Sequence, residues 1–165
     1  MYQRILVPFD GSPTSTRGLD EALRIAQMTH GRLRVLHVID ELSLGLALGA
    51  CGGYVGDFDC IGAMRDDAQQ MLQKARDSAA AAGIAVETVL NDTYAGQVHE
   101  LVNAEARQWP AELIVLGTHG RRGVGRMLLG SSAEKILRSA PVPVLLVRAP
   151  GQEGQAQAAA QAAAA

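Results

Sequence analysis

The chain has 165 residues, a formal net charge of −2 and 48% hydrophobic residues, which is typical of one globular domain. Lys and Arg number 15 against 17 Asp and Glu, so we expect no sequence-independent binding of nucleic acid. The apolar runs are too short to cross a bilayer, and two cysteines cannot build a disulfide framework. Asp10 interrupts the apolar N-terminal run, so we expect no export signal, no membrane partner and a cytoplasmic protein.

Apolar strands alternate with helices along the first part of the chain. Residues 5–7 form a short apolar run that predicts a strand buried on both faces. Ser12 and Pro13 predict the N-cap and first residue of a helix, and Gly31 is expected to end that helix. A second strand is predicted over residues 33–39.

The same alternation continues in the second half. We predict, in order, a helix from near Cys60 to Gly83, a strand over 85–90, a helix that ends before Trp109, a strand over 113–116, a helix over 132–138 and a strand over 144–147. The order βαβαβαβαβ predicts an α/β fold with a parallel sheet and right-handed crossovers.

Two segments depart from this alternation. Residues 40–62 hold six of the 18 glycines and show little periodicity, so we interpret them as a long flexible loop. From residue 150 the composition is almost entirely Gly, Gln and Ala, which cannot build a core. The sequence therefore predicts one domain over residues 1–149 and a flexible tail over residues 150–165.

The loop after the fourth predicted strand has the chemistry of a phosphate site. Ligands of open parallel sheets bind beyond the carboxyl ends of the strands where the strand order reverses, here between the first and fourth strands. Residues 117–132 contain Gly117, Gly120 and Gly130, together with three arginines within six residues. The glycines permit close approach of the backbone, and the N–H groups and two hydroxyls at the next helix start favour an anion.

A purely structural role for this loop stays open. Ser131 and Glu134 have the spacing of a capping box with Ser131 as N-cap, and loop glycines also make ordinary turns. Neither Lys74 nor Lys135 follows a glycine as a Walker A motif requires, and the dinucleotide fingerprint lacks its third glycine. His119 has no nucleophile or carboxylate placed by the sequence to partner it, so we assign no catalytic residue.

Three motifs together resemble the universal stress protein family. They are Ile-Leu-Val-Pro-Phe-Asp-Gly-Ser at residues 5–12, Gly-x2-Gly-x9-Gly-Ser at residues 117–131, and Pro-Val-Pro-Val-Leu-Leu-Val at residues 141–147. The resemblance covers residues 2–148. It implies a Rossmann-like, five-stranded parallel sheet of order 3-2-1-4-5 with helices on both faces, and a homodimer. In the ATP-binding branch of this family the glycine motif holds the phosphates and ribose, which implies ATP as the ligand and leaves Mg²⁺ open.

The resemblance also assigns contacts to individual residues. Asp10 is similar to the acidic residue that contacts the nucleotide, with capping of the first helix as the alternative. The end of the second strand corresponds to the segment that reads adenine through backbone groups, with plain core packing as the alternative. The implied nucleotide-binding residues are Pro8, Asp10, Val38, Ile39, Leu116, Gly117, Gly120, Arg121, Gly130, Ser131 and Ser132.

The resemblance implies a stress-response protein that acts through nucleotide-dependent conformation or partner binding, with at most slow ATP hydrolysis and unidentified protein partners. One alternative is a dimeric scaffold that binds no nucleotide. Another is an adenylyl-transferring enzyme of related fold, but such enzymes resemble one another through a His-x-Gly-His motif where residues 10–13 read Asp-Gly-Ser-Pro. The fifth strand is apolar and expected at the sheet edge, so we predict that it pairs with its copy in a homodimer.

Overall fold

A computed structural model describes residues 1–50, 60–93, 96–118 and 130–148. The elements are β1 (Arg4–Pro8), α1 (Pro13–Thr29), β2 (Arg32–Val38), α2 (Glu41–Ala50), α3 (Cys60–Ala81), β3 (Val86–Asn91), α4 (Val98–Gln108), β4 (Leu113–Gly117), α5 (Ser131–Ser139) and β5 (Val144–Val147). The strands form one sheet in the order β3-β2-β1-β4-β5, and each neighbouring pair is parallel. The predicted α/β fold and strand order are therefore confirmed. The predicted tail lies outside the described residues.

Consecutive apolar residues on the central strands supply two cores, one on each face of the sheet. Ile5 and Val7 of β1 and Val115 of β4 lie in a first core shared with α1 and α3. Leu6 and Ile114 lie in a second core shared with α4 and α5. All five side chains are fully buried. An uninterrupted apolar strand is thus explained by helices on both sides of the sheet. None of the helices in the described ranges is long and apolar enough to span a membrane.

An arginine on β2 joins the sheet to α4 on the second face. Arg34 donates hydrogen bonds to Glu87 of β3 and to Glu105 of α4, the latter at 2.6 Å. Its guanidinium carbon lies 4.8 Å from the ring centre of Trp109, a cation–π distance. The hydrogen bond from Arg34 lowers the pKa of Glu87. These partners satisfy a charge on a face that is otherwise mainly apolar.

The interpretation of residues 40–62 as one loop is wrong for residues 41–50, which form helix α2. Asp40 is its N-cap: Oδ1 accepts a hydrogen bond from the Ser43 N–H at 2.8 Å, and the Asp40 carbonyl accepts from the Leu44 N–H. The sequence did not predict this helix because leucines stand at every second position from 42 to 48, a spacing that is not typical of a helix. The predicted loop also includes residues 51–59, which lie outside the described residues.

The residue that ends α1 is His30 and not, as predicted, Gly31. His30 has a left-handed conformation with φ 53°, and the N–H groups of both residues donate to the Ala26 carbonyl. A Cβ atom on Gly31 would lie 3.0 Å from the carbonyl oxygens of Tyr2 and Gln3. Glycine is therefore needed at residue 31 for space beside the N-terminal segment, and the turn itself is made one residue earlier.

Replacing Asp40 by Ala is expected to loosen α2, because it removes the side-chain cap at the helix start. Loss of such a cap costs about 1 kcal/mol, which corresponds to roughly fivefold faster exchange of the backbone amides in residues 43–50. Hydrogen exchange followed by mass spectrometry measures this rate. Asp20→Ala changes an exposed carboxylate inside α1 and serves as the control. Unchanged exchange in the Asp40 variant would contradict the assignment of the cap.

Candidate functional site

A cavity of about 380 Å³ opens at the carboxyl ends of β1, β2 and β4. It lies at the point where the strand order reverses, because the chain leaves β1 toward β2 on one side while β4 lies on the other. The first turns of α1 and α5 and side chains from α2, α3 and α4 complete its described walls. A cavity of this size falls within the range of small-molecule sites.

Nine of the eleven predicted nucleotide-binding residues line this cavity. They are Pro8, Asp10, Val38, Ile39, Leu116, Gly117, Gly130, Ser131 and Ser132. The other two, Gly120 and Arg121, lie outside the described residues. The fold therefore brings together residues that are up to 124 positions apart in sequence, since they run from Pro8 to Ser132. Which of them contact a ligand stays a prediction.

The turn after β1 holds the Asp10 carboxylate at the cavity wall. Asp10 Oδ1 accepts a hydrogen bond from the Ser12 N–H at 3.0 Å. Gly11 between them has φ 74°, a left-handed conformation that favours glycine. Ser12 is the N-cap of α1 and Pro13 its first residue, as predicted, with Ser12 Oγ accepting from the Ser15 N–H at 3.2 Å. The carboxylate thus fixes the turn, while Ser12 caps the helix.

Gly117 is required by packing, independently of any ligand. A Cβ atom on Gly117 would lie 2.6 Å from the carbonyl carbon of Thr14, 2.7 Å from its oxygen and 2.8 Å from the Ser15 nitrogen. These are backbone atoms of the first turn of α1, which cannot rotate away as a side chain can. The end of β4 and the start of α1 therefore meet backbone to backbone at the cavity floor, a contact that only glycine permits.

The alternative in which Ser131 and Glu134 form a capping box at the start of α5 is wrong. Gly130 is the N-cap and Ser131 the first helical residue, while Glu134 pairs with Arg138 at 2.8 Å. The Gly130 N–H donates to the Thr118 carbonyl at 2.8 Å, so the described residues on either side of positions 119–129 are hydrogen-bonded to each other. Gly130 has no side chain with which to cap the helix, so the N–H groups of its first turn lie at the cavity wall without a bond from an N-cap side chain. Such a helix start attracts anions.

One side of the cavity is apolar, and the sequence predicted only some of the residues that form it. Val38 and Leu116 come from strand ends, and Val98 and Val102 of α4 together with Ile136 of α5 join them. The α4 and α5 side chains were missed because their place depends on how the helices cross the sheet. A local sequence pattern does not predict how helices cross a sheet. This surface can pack against a flat apolar ring, and the helix start of α5 borders it.

Polar groups that sequence reasoning missed also line the cavity. Asp40 follows β2 as Asp10 follows β1, so the rule that ligands bind beyond strand ends could have found it. Asp67 of α3 is an exposed carboxylate at the cavity wall. His37 is buried, and its Nδ1 lies 2.7 Å from the Phe9 carbonyl oxygen, so Nδ1 carries the proton and donates. Within the described ranges, no group of three His, Cys, Asp or Glu residues is placed to hold a metal ion.

The chain matches the model of a family described as the universal stress protein family over residues 1–148. It is 32% identical to universal stress protein MJ0531 of Methanocaldococcus jannaschii over 154 residues, which cover 93% of this chain and 86% of that protein. It is 31% identical to universal stress protein YxiE of Bacillus subtilis over 153 residues, which cover 90% of this chain and 100% of that protein.

Solved structures share the fold. A member of the same family from Burkholderia pseudomallei is 31% identical, has a TM-score of 0.68, and is matched over 90% of this chain and 97% of its own. A universal stress protein in complex with cAMP is 24% identical with a TM-score of 0.61, over 89% and 97% of the two chains. One from Archaeoglobus fulgidus in complex with dAMP is 23% identical with a TM-score of 0.63, over 88% and 98%. At the last two identities the likeness establishes the fold alone.

Proposed function

The chain belongs to the universal stress protein family, and from that premise we propose that its cavity binds ATP. The observation that carries the proposal is the convergence of strand ends and a helix start on one cavity of about 380 Å³ at the reversal of strand order. Two relatives of the same fold are complexes with cAMP and dAMP, which supports an adenine nucleotide as the ligand class.

The apolar side of the cavity suits the base. Val38, Val98 and Ile136 offer a surface on which an adenine ring can pack, and Ile39 at the end of β2 continues that wall. The Asp10 carboxylate, oriented by the Ser12 N–H, suits the ribose because a carboxylate accepts hydrogen bonds from hydroxyl groups.

The start of α5 suits the phosphates. Gly130, Ser131 and Ser132 line the cavity, and the N–H groups of the first turn combine with two exposed hydroxyls as donors. The arginines of residues 121–126 would add positive charge. With no cage of protein carboxylates among the described residues, Mg²⁺ would be carried mainly by the phosphates of ATP.

We propose further that the protein acts in a stress response through nucleotide-dependent conformation or partner binding, with at most slow hydrolysis. Four titratable side chains line the cavity in the described ranges, and three of them, all except Asp67, have structural tasks that favour a binding role. Asp10 and Asp40 each accept from a backbone N–H, and His37 donates to a backbone carbonyl, so all three have structural tasks. The cavity also favours this proposal over a scaffold that has lost its ligand.

Replacing Gly130 by Val is expected to weaken ATP binding about 100-fold, because the added methyl groups enter the space in front of the α5 helix start. The fold should survive, since φ −59° and ψ 142° at residue 130 are open to valine. Titration calorimetry measures the affinity, and native mass spectrometry of the purified wild type identifies any nucleotide that it retains.

Gly49→Ala is the matched control, because a Cβ atom there meets no atom within 4 Å. It should bind ATP as the wild type does. A folded Gly130→Val protein with the affinity of the wild type would refute the phosphate assignment. A wild type that binds no adenine nucleotide at millimolar concentration would refute the proposed function itself.

A further inference from the structure

Two methionines of α3 connect the cavity to the turn that carries Asp10. Met64 lines the cavity and is half-buried, and Met71 lies two helical turns further along the same face. Between them Ala68 is 2% exposed and also lines the cavity. Met71 packs against the first core and against Gly11 of the β1–α1 turn. The α3 face between cavity and turn therefore carries two thioethers.

The Met71 thioether lies close against the backbone of Gly11. A Cβ atom on Gly11 would lie 2.9 Å from Met71 Sδ and 3.2 Å from its Cε, closer than such atoms pack. Gly11 cannot adjust freely, because its φ of 74° belongs to the turn in which Asp10 accepts from Ser12. Met71 is half-buried between this turn and the first core, so an oxygen on its sulfur would be added beside apolar side chains and the Gly11 backbone.

We propose that Met64 and Met71 form an oxidation site, at which hydroperoxides convert both thioethers to sulfoxides and thereby weaken ligand binding in the cavity. A sulfur lone pair attacks the outer oxygen of the hydroperoxide, the S–O bond forms and the O–O bond breaks. The sulfur is oxidised by two electrons, and the peroxide leaves as water or an alcohol. A methionine sulfoxide reductase reverses the change. Only the consequence for ligand binding rests on the proposed function.

The physical consequence follows from the polarity of the sulfoxide. At Met71 the S–O dipole has to be hydrated or hydrogen-bonded, which draws α3 away from the Asp10–Gly11 turn. At Met64 it introduces a polar group into the wall between α3 and the cavity. Met28 provides an internal reference, because it is 74% exposed on α1 and does not line the cavity. Its oxidation leaves no polar oxygen buried.

The test is oxidation of the full chain with hydrogen peroxide in a Met127→Leu background, which removes the one methionine outside the described residues. Peptide mass spectrometry gives the rate at each methionine. We expect ATP to slow oxidation of Met64 at least about fivefold while Met28 is unaffected. We expect oxidised protein to bind ATP about tenfold more weakly and to melt about 5 °C lower. In peroxide, the Met64→Leu/Met71→Leu double variant should keep its ATP affinity and its melting temperature. The Met28→Leu variant should lose both, as its parent does.

Two results would overturn the proposal. The first is protein that carries sulfoxides at Met64 and Met71 and keeps the melting temperature of the untreated chain. The second is a double leucine variant that loses as much stability in peroxide as its parent. Failure of the untreated wild type to bind any adenine nucleotide would refute the proposed function alone. The melting temperatures of oxidised parent and double variant would still decide whether the oxidation site exists.

Discussion

Replacing Gly117 by Ala is expected to lower the free energy of unfolding by about 3 kcal/mol, the upper end of the usual cost of overpacking. The added Cβ atom would stand 2.6 Å from the carbonyl carbon of Thr14 and 2.8 Å from the Ser15 nitrogen. Because both belong to the backbone, relief requires α1 to move away from β4. For a domain of this size the loss corresponds to a melting temperature about 10 °C lower, measured by circular dichroism or calorimetry.

The matched control lies on the other side of the same contact. A Cβ atom on Gly18 of α1 would lie 3.4 Å from the Gly117 nitrogen and 3.5 Å from the Leu116 carbonyl carbon, which is ordinary van der Waals contact. Gly18→Ala also replaces a glycine inside a helix, a change that favours the helix by up to about 1 kcal/mol. It should therefore be neutral or stabilising. Equal stability of Gly117→Ala and wild type would show that β4 and α1 do not meet as described.

Gly117 and Gly130 belong to one sequence motif but differ in physical role. Gly117 is glycine because the backbone of α1 occupies the place of its side chain. Gly130 has φ −59°, open to other residues, and stands at the cavity wall in front of a helix start. We therefore expect substitutions at Gly117 to change stability first and substitutions at Gly130 to change binding first. The sequence motif alone could not separate these roles, because the α1 contact is distant in sequence.

The central strands could be predicted from the sequence because a strand that is buried on both faces consists of consecutive apolar residues. Residues 5–7 and 113–116 are unbroken apolar runs, and both proved to be central strands between two cores. The start of α1 was equally readable, since Ser12 and Pro13 carry the chemistry of a helix start within two residues. The order of the strands came from resemblance to a family and not from these local signals.

Other features could not be predicted because competing residues stand next to each other. Gly130, Ser131 and Ser132 are three successive candidates for the N-cap of α5. In the structure Gly130 is the N-cap, and its N–H donates to the Thr118 carbonyl. At the end of α1, His30 takes the left-handed conformation, and the next residue, Gly31, lies against the N-terminal segment. Both helix ends contact residues that are distant in sequence, and a local pattern does not contain such contacts.

The edge strand β5 has a backbone arrangement suited to pairing with its own copy. It lies at an edge of the described sheet, because it is the last strand in the order and pairs with β4 on one side. The Pro143 carbonyl accepts a hydrogen bond from the Ile114 N–H of β4, and the Val147 carbonyl accepts one from the Thr118 N–H. The backbone groups of odd-numbered residues in β5 therefore point toward β4. Val144 and Leu146 therefore direct their N–H and C=O groups away from the sheet. An antiparallel pair about a two-fold axis would join Val144 of one copy to Leu146 of the other and place Leu145 opposite itself.

Replacing Leu145 by Lys is accordingly expected to weaken self-association about 100-fold, because two like charges would face each other across the axis in an apolar contact. Leu146→Lys should also weaken it, since Leu146 adjoins the paired backbone. Each residue of β5 is only half-buried within one chain, so a lysine ammonium can still reach water in the monomer. Sedimentation at micromolar concentration measures the association, and circular dichroism checks that each variant is folded. Deletion of residues 151–165 is the control and should leave the dimer intact. A monomeric wild type, or a dimer unaffected by both lysines, would refute pairing through β5.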